Sequence, residues 1–314
     1  MAEGEQRLLT PDDDNFHTPT DDWWFHETCW FWFYVPERAL GGWLYNWIRP
    51  TIGVTGGGCW VWDDSTALHW EVPYYSNHHN LRLPEQRDLR DFKFPSGVHV
   101  VAQEPLQRYS LSYRDEGSIA LDLEFDAVME PWVTTADDGH GVLRPRHLDQ
   151  VGRVRGTVVL DDEHLAVDCL AIRDRTWGLR SERWRTGGGY GYTNAMAESG
   201  EAFLAVGDHQ SIHGYLTLNG TRQELIEGTR SVERDPSHGH PTRVIISGRD
   251  ADGRELEAVG NSVSRMAMPI PGVHGMVWTS LVEWTVNGVA AWGEDQEPWP
   301  IARWSARRRA DHRR

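Results

Sequence analysis

Between Ile119 and Val128 apolar and acidic positions alternate, with Ile119, Leu121, Leu123 and Phe125 set against Asp122, Glu124 and Asp126. That period of two predicts a half-buried β-strand with one wet face. In the second half of the chain, β-prone runs are separated by turn dipeptides. Asn219-Gly220 divides 214–218 from 221–225, Asp252-Gly253 divides 243–246 from 254–257, and Asn287-Gly288 divides 277–286 from 289–292. Such pairs tolerate the positive φ of type I′ turns, so each predicts a hairpin. Helical periodicity is almost absent; only Pro145–Gln150 and the last residues suggest short helical pieces. The pattern therefore predicts a mostly-β protein with antiparallel pairing. Its 314 residues suit two domains, each able to bury its own core. A boundary is expected in the turn-rich segment 134–141, giving an N-terminal domain at 1–140, a second at 141–302, and a disordered basic tail at 303–314.

The first domain is chemically distinctive. Nine of the 17 tryptophans fall between Trp23 and Trp70. Most of these indoles should be core, and the excess suggests an aromatic-lined cavity for a hydrophobic ligand, where ring faces would also stabilise a cation. Gly56-Gly57-Gly58 lacks the Lys-Ser/Thr ending of a phosphate loop and reads as a flexible strand connection or bulge.

Charge narrows the partners. With 31 basic against 47 acidic residues, a net charge of −16 argues against nucleic acid and anionic membrane surfaces. The exception is Arg303 to Arg314, where six arginines and one aspartate cluster. Three cysteines without CxxC spacing suit a reducing, cytoplasmic setting. The acidic N-terminus has no apolar signal core, and the run 29–35 is too short to span a bilayer.

Candidate chemistry concentrates at Asp174-Arg175-Thr176-Trp177-Gly178, where an acid, a guanidinium and an indole end a strand-like run. In an extended chain Asp174 and Thr176 share one face, Arg175 and Trp177 the other. This suits a pocket wall, and equally a surface ion pair beside a core tryptophan. Further candidates are His147 and Asp149, Arg180, Tyr190 and Tyr192, and the strand bearing Glu283 and Trp284. Glu283 would gain general-acid character if desolvated among aromatics, and is otherwise an outward-facing residue. His69, Trp70 and Glu71 lie near His78-His79, a conceivable acid/base or metal arrangement with no second ligand cluster to complete it. His238-Gly239-His240 reads as a polar turn. No Gly-x-Ser-x-Gly elbow, activated cysteine or dinucleotide fingerprint is present, so no metal or cofactor is expected.

The segments His147-Leu148-Asp149, Arg153-Val154-Arg155-Gly156 and Asp174-Arg175-Thr176-Trp177-Gly178 resemble the signature of the carotenoid 1,2-hydratase (hydroxyneurosporene synthase)/AttH-like superfamily, and more narrowly its actinobacterial branch. That superfamily includes lipocalin-like Diels–Alder cyclases. The resemblance implies two lipocalin-like (calycin) β-barrel or sandwich domains packed together, with a pocket in or between them. It also implies water addition to an olefin by general-acid protonation. The tryptophan of the family's Asp-His-Asn-Trp-Gly segment carries over as Trp177, whereas its histidine position holds Arg175. The family's later Tyr-x-Asp is missing, and only Asp208 lies close. Arginine is no proton donor at neutral pH but clamps oxyanions, which shifts the expected substrate toward an oxygenated or acidic one. Three readings stand. The first is a cofactor-independent hydratase, isomerase or cyclase acting on a terpenoid-, steroid- or polyketide-like substrate. In it Asp174, Glu283 or His147 moves the proton, and Arg175, Arg180, Trp177, Trp284, Trp70, His69, Tyr190 and Tyr192 bind. The second is a non-catalytic carrier of a hydrophobic metabolite; the third is a scaffolding partner using the arginine tail.

Overall fold

The computed structural model describes residues 9–134, 146–180, 189–270, 275–311 and 313. Its first unit is one large antiparallel sheet. Strands β1 (Phe25–Val35), β2 (Leu40–Arg49), β3 (Val54–Trp62) and β4 (Tyr74–Arg82) follow one another toward one edge. On the other side of β1 lie β11 (Glu163–Leu179), β10 (Arg146–Leu160), β8 (Ile119–Ala127), β7 (Arg108–Asp115), β6 (His99–Glu104) and β5 (Phe92–Lys93); β9 (Trp132–Thr134) pairs with β10. The second unit is a closed eight-stranded barrel: β12 (Gly191–Met196), β13 (Ala202–Gly207), β14 (Ile212–Leu218), β15 (Thr221–Arg234), β16 (Pro241–Asp250), β17 (Glu255–Ile270), β18 (Gly275–Val286) and β19 (Val289–Pro300). Helix α1 (Ile301–Asp311) follows.

The turn chemistry explains most of the pairing. Asn219 and Gly220, with φ of 54° and 74°, join β14 to β15, and Asn287 and Gly288, at 47° and 83°, join β18 to β19. Asp252-Gly253 differs: only Gly253 has positive φ, within a longer loop. A further two-residue turn, Asp161-Asp162 at 46° and 68°, joins β10 to β11. Aspartate tolerates this conformation less readily than Asn-Gly, so the sequence hid the hairpin that matters most. Of the stretch expected to be helical, residues 146–150 begin strand β10, and Pro145 lies outside the described residues.

That hairpin moves the boundary. β10 and β11 belong to the first sheet, so the sheet gives way to the barrel between Leu179 and Gly191 and not near residue 140. Most of the expected boundary loop lies outside the described residues. Within the expected tail, α1 covers Ile301–Asp311, and Trp304 packs against Trp278 and Trp299, at 6.0 and 5.4 Å between ring centroids.

Strand parity sorts the barrel. Val282, Trp284 and Val286 join Phe203, Leu216, Val244 and Ile246 in an inner cluster. Val277, Leu281, Met266, Met268 and Leu204 face the other way and merge with the sheet's core, which includes Trp30, Trp32, Trp60 and Trp62. The sheet therefore packs on the barrel's outer wall, and β1 is buried along nearly its whole length. No helix among the described residues is long and apolar enough to cross a membrane.

The glycine run in β3 is a bulge, where the register against β4 slips between Thr55 and Gly57. Gly57 has φ of 110°, and a Cβ there would lie 2.0 Å from the Tyr45 carbonyl oxygen. Gly57→Ala should lower stability by about 1–3 kcal/mol, the range for strained backbone, read as a lower urea midpoint with unchanged slope.

Candidate functional site

The β10–β11 register sets Asp149 directly opposite Asp174, and His147 opposite Thr176. In an antiparallel pair directly opposed residues share a face, so all four project to one side. Thr28 and Trp30 of β1, paired with Thr176 and Asp174, extend that face. Placing two carboxyls side by side is costly unless a cation or proton intervenes. His147 supplies the cation: its Nε2 lies 3.0 Å from Asp149 Oδ1 and its Nδ1 2.7 Å from Thr176 Oγ1. From the barrel, the Tyr192 hydroxyl also donates to Asp149 Oδ1. Asp174 is held more lightly, by the Thr28 hydroxyl at 3.4 Å.

These groups form the polar wall of a cavity of about 540 Å³ between the sheet and the outer face of the barrel. Arg180, Tyr190, Asp208 and His213 also line it, with Trp43, Tyr45, Val206, Met268, Ile270 and Val277 supplying apolar surface. Burial raises the Asp174 carboxyl to about 6, although the nearby His147 opposes the shift. For His147 burial alone would lower the pKa; the Asp149 carboxylate, seconded by Asp174, overcomes it and lifts the imidazole to about 9. Burial, then Asp149 and Asp174, hold the Tyr192 phenol protonated well above its ordinary range. Near neutral pH the wall thus carries an imidazolium, a bound carboxylate and an acid poised close to ambient pH. That combination suits proton transfer to and from a bound molecule.

A second acid lies behind the opposite wall and was missed in the sequence. Glu294, fully buried on β19, accepts from Trp43 Nε1 and Thr279 Oγ1, each at 2.5 Å, and from Gln296 Nε2 at 2.9 Å. Burial lifts it to about 8, beyond what these donors offset. Trp43 and Gln296 line the cavity, so Glu294 fixes the orientation of two of its walls.

Of the sequence candidates, the cavity gathers His147, Asp149, Asp174, Arg180, Tyr190 and Tyr192. Arg175 and Trp177 point away, as the alternation requires. Arg175, 1% exposed, bonds Thr28 O, Asp14 O and Asn15 O and pairs with Glu27 at 3.0 Å, so it braces the N-terminal segment and has no donor aimed at a ligand. Trp177 stacks on His17 at 4.4 Å. Glu283 is exposed and so is not desolvated, while Trp284 fills the barrel interior against Phe203. His69 bonds Ala267 O at 3.2 Å and Trp70 is 68% exposed; neither lines the cavity. The cysteines are buried, and burial raises Cys29 and Cys169 each to about 12, which disfavours the nucleophilic thiolate.

No curated protein matches the sequence. Among solved structures, an AttH-type protein (NE1406) from Nitrosomonas europaea aligns over 94% of this chain and 98% of its own, with TM-score 0.62 and 12% identity. Kievitone hydratase from Nectria haematococca aligns over 87% of each chain, with TM-score 0.54 and 10% identity. CghA covers 87% of this chain and 88% of its own, with TM-score 0.52 and 11% identity. The resemblance noted in the segment His147–Gly178 thus extends to the architecture of two packed lipocalin-like β units. A family model matches residues 10–296, and the chain belongs to that family, DUF7064, a domain of unknown function.

Proposed function

We propose that the protein is a cofactor-independent acid/base enzyme of the hydratase–dehydratase, isomerase or cyclase kind, acting on a largely apolar small molecule that carries at least one oxygen. The carrying observation is the cluster of Asp174, His147, Asp149 and Tyr192 in a cavity that also presents apolar and aromatic surface from Trp43, Tyr45, Met268, Ile270 and Val277. Two neighbours of the same fold support the reading: one is a hydratase, and CghA has been crystallised with the small molecule Sch210972. A terpenoid-, steroid- or polyketide-like skeleton fits the lining.

In an elimination, the Asp174 carboxylate takes a proton from carbon and the released pair forms the C=C bond. The hydroxyl leaves as water with a proton passed from the His147 imidazolium through the Thr176 hydroxyl. Hydration is the reverse, and isomerisation uses the Asp174 step twice. Tyr192 and Asp149 keep the imidazole charged and oriented. Arg180, on the same wall, faces a substrate oxygen.

Incubating the protein with a metabolite extract and analysing retained and released compounds by mass spectrometry tests this. Wild type should convert a compound that Asp174→Asn binds and returns unchanged. For that compound kcat/KM should rise with pH through about 6, as Asp174 ionises, and fall through about 9, as His147 loses its proton. Equal turnover by the variant would remove Asp174 from the chemistry. Retention without conversion by both proteins would instead favour a carrier.

A further inference from the structure

We propose that Asp235, His238 and His240, on the turn between β15 and β16, form a divalent-cation site outside the cavity, with zinc the ion their donors suit best. Among the described residues this is the group of histidine, cysteine and acidic side chains close enough to share an ion, its ligand atoms all lying within 4.8 Å of one another. Asp235 Oδ1 lies 3.4 Å from His238 Nδ1 and 4.0 Å from His240 Nδ1. Zinc–nitrogen and zinc–oxygen bonds of about 2.0–2.2 Å in a tetrahedral shell put neighbouring ligand atoms about 3.3–3.5 Å apart. The first pair is therefore already spaced for an ion, and the second and the two imidazoles, within 4.8 Å, must close by up to about an ångström or somewhat more. Two imidazoles and one carboxylate leave a position for water, a donor set typical of zinc and related transition metals.

A second observation is independent of the spacing. His240 is 6% exposed, and its Nδ1 has no hydrogen-bond partner. A buried polar atom left unpaired is costly, and a native fold normally satisfies it. A cation held between Asp235 and His240 would do so. The turn is shaped to present the three groups: Gly239, at φ of 83°, lets the backbone reverse between the histidines, and its N–H donates to Asp235 O at 2.8 Å. The His238 N–H donates to Asp235 Oδ1 at 2.5 Å, fixing the carboxylate inside the loop.

The surroundings indicate a structural role and modest affinity. Arg234 donates to Gly239 O at 3.1 Å, Arg308 donates to Ser237 O, and Arg265 acts on His240 at longer range. Arg234 is already paired with Glu297 and Arg308 lies 3.6 Å from Asp311, which leaves Arg265 as the main charge opposing a dication and should weaken binding. A Cβ at position 239 would lie 3.0 Å from the Trp304 ring, so α1 rests directly on this turn. The ion would clasp the platform on which the C-terminal helix sits.

The test uses the full-length protein, stripped with chelator and titrated with zinc by calorimetry and with cobalt(II) by visible absorption. One ion per chain is expected, with tetrahedral cobalt bands and a raised thermal midpoint on zinc addition. His238 is exposed, and asparagine at 235 can still accept from the His238 N–H, so His238→Ala and Asp235→Asn should fold as wild type does. Each should weaken binding at least tenfold, and the pair should abolish it. Zinc binding unchanged in the double variant, loss of binding on replacing His78 and His79 instead, or no binding by wild type at millimolar zinc would each overturn the proposal.

Discussion

Asp149→Asn should lower the pKa of His147 from about 9 to the ordinary imidazole value of about 6.5 or below. Asparagine preserves shape and can still accept from Tyr192, but it removes the charge that outweighs burial. The imidazole should then be largely neutral at pH 7.5, and turnover there should fall by about 10²–10⁴, the usual contribution of a positioned proton-transfer group. Imidazole nitrogen chemical shifts followed against pH read the first effect without knowledge of the substrate. An unchanged His147 titration would show that Asp149 does not hold the imidazolium. A shifted titration with undiminished turnover would leave the ion pair intact as structure and remove it from catalysis.

The second large effect concerns stability. On the far face of β11, Arg173 pairs with Asp14 at 3.0 Å and with Gln150 at 2.8 Å, lies 4.3 Å from the centroid of the Tyr109 ring, and leaves Asp14 to accept the Tyr109 hydroxyl as well. Arg173 and Asp14 are both buried. Removing one partner strands a buried guanidinium, so Asp14→Ala should cost about 3–5 kcal/mol, seen as a lower denaturant midpoint. Burial tends to raise the Asp14 pKa, but Arg173, Arg175 and Tyr109 together depress it. A depressed carboxyl contributes stability that is complete above its unfolded pKa of about 3.9 and is lost as pH falls through its folded value. Wild type should therefore lose stability in acid more steeply than Asp14→Ala. Parallel acid profiles for the two proteins would contradict this origin of the stability.

The β architecture was legible because hairpins announce themselves locally: Asn219-Gly220 and Asn287-Gly288 form the turns their chemistry favours, and 119–127 is the strand its alternation describes. The parity of Asp174 against Arg175 was legible for the same reason. What was not legible depends on register and on contacts across distance. Nothing local shows that Asp149 faces Asp174, because the connecting Asp161-Asp162 turn lacks glycine. The alternation separates two faces but does not say which borders the cavity, and Arg175 and Trp177 took the other one. Glu294 looked like one acid among many; its burial follows from Trp43, far away in sequence, reaching it across the seam. Glu283, on a strand with the same apolar character, remained in solvent. The arginine-rich end looked like a frayed tail because its anchors, Trp304 against Trp278 and Trp299 and Arg308 on Ser237 O, are set by the arrangement of the barrel strands and not by local pattern.

The barrel's hollow is already filled, by Trp284 and Phe203 toward one part and by the buried Arg230–Asp295–Glu297 ion pairs elsewhere. If the cavity takes a guest as proposed, selectivity is decided on the outside of a solid cylinder, by Val206, Met268, Ile270 and Val277. Because neighbouring positions on those strands point inward, guest-facing side chains can be resized while the scaffold's own packing stays as it is. Such a seam lends itself to rapid divergence of ligand preference within one unchanged frame.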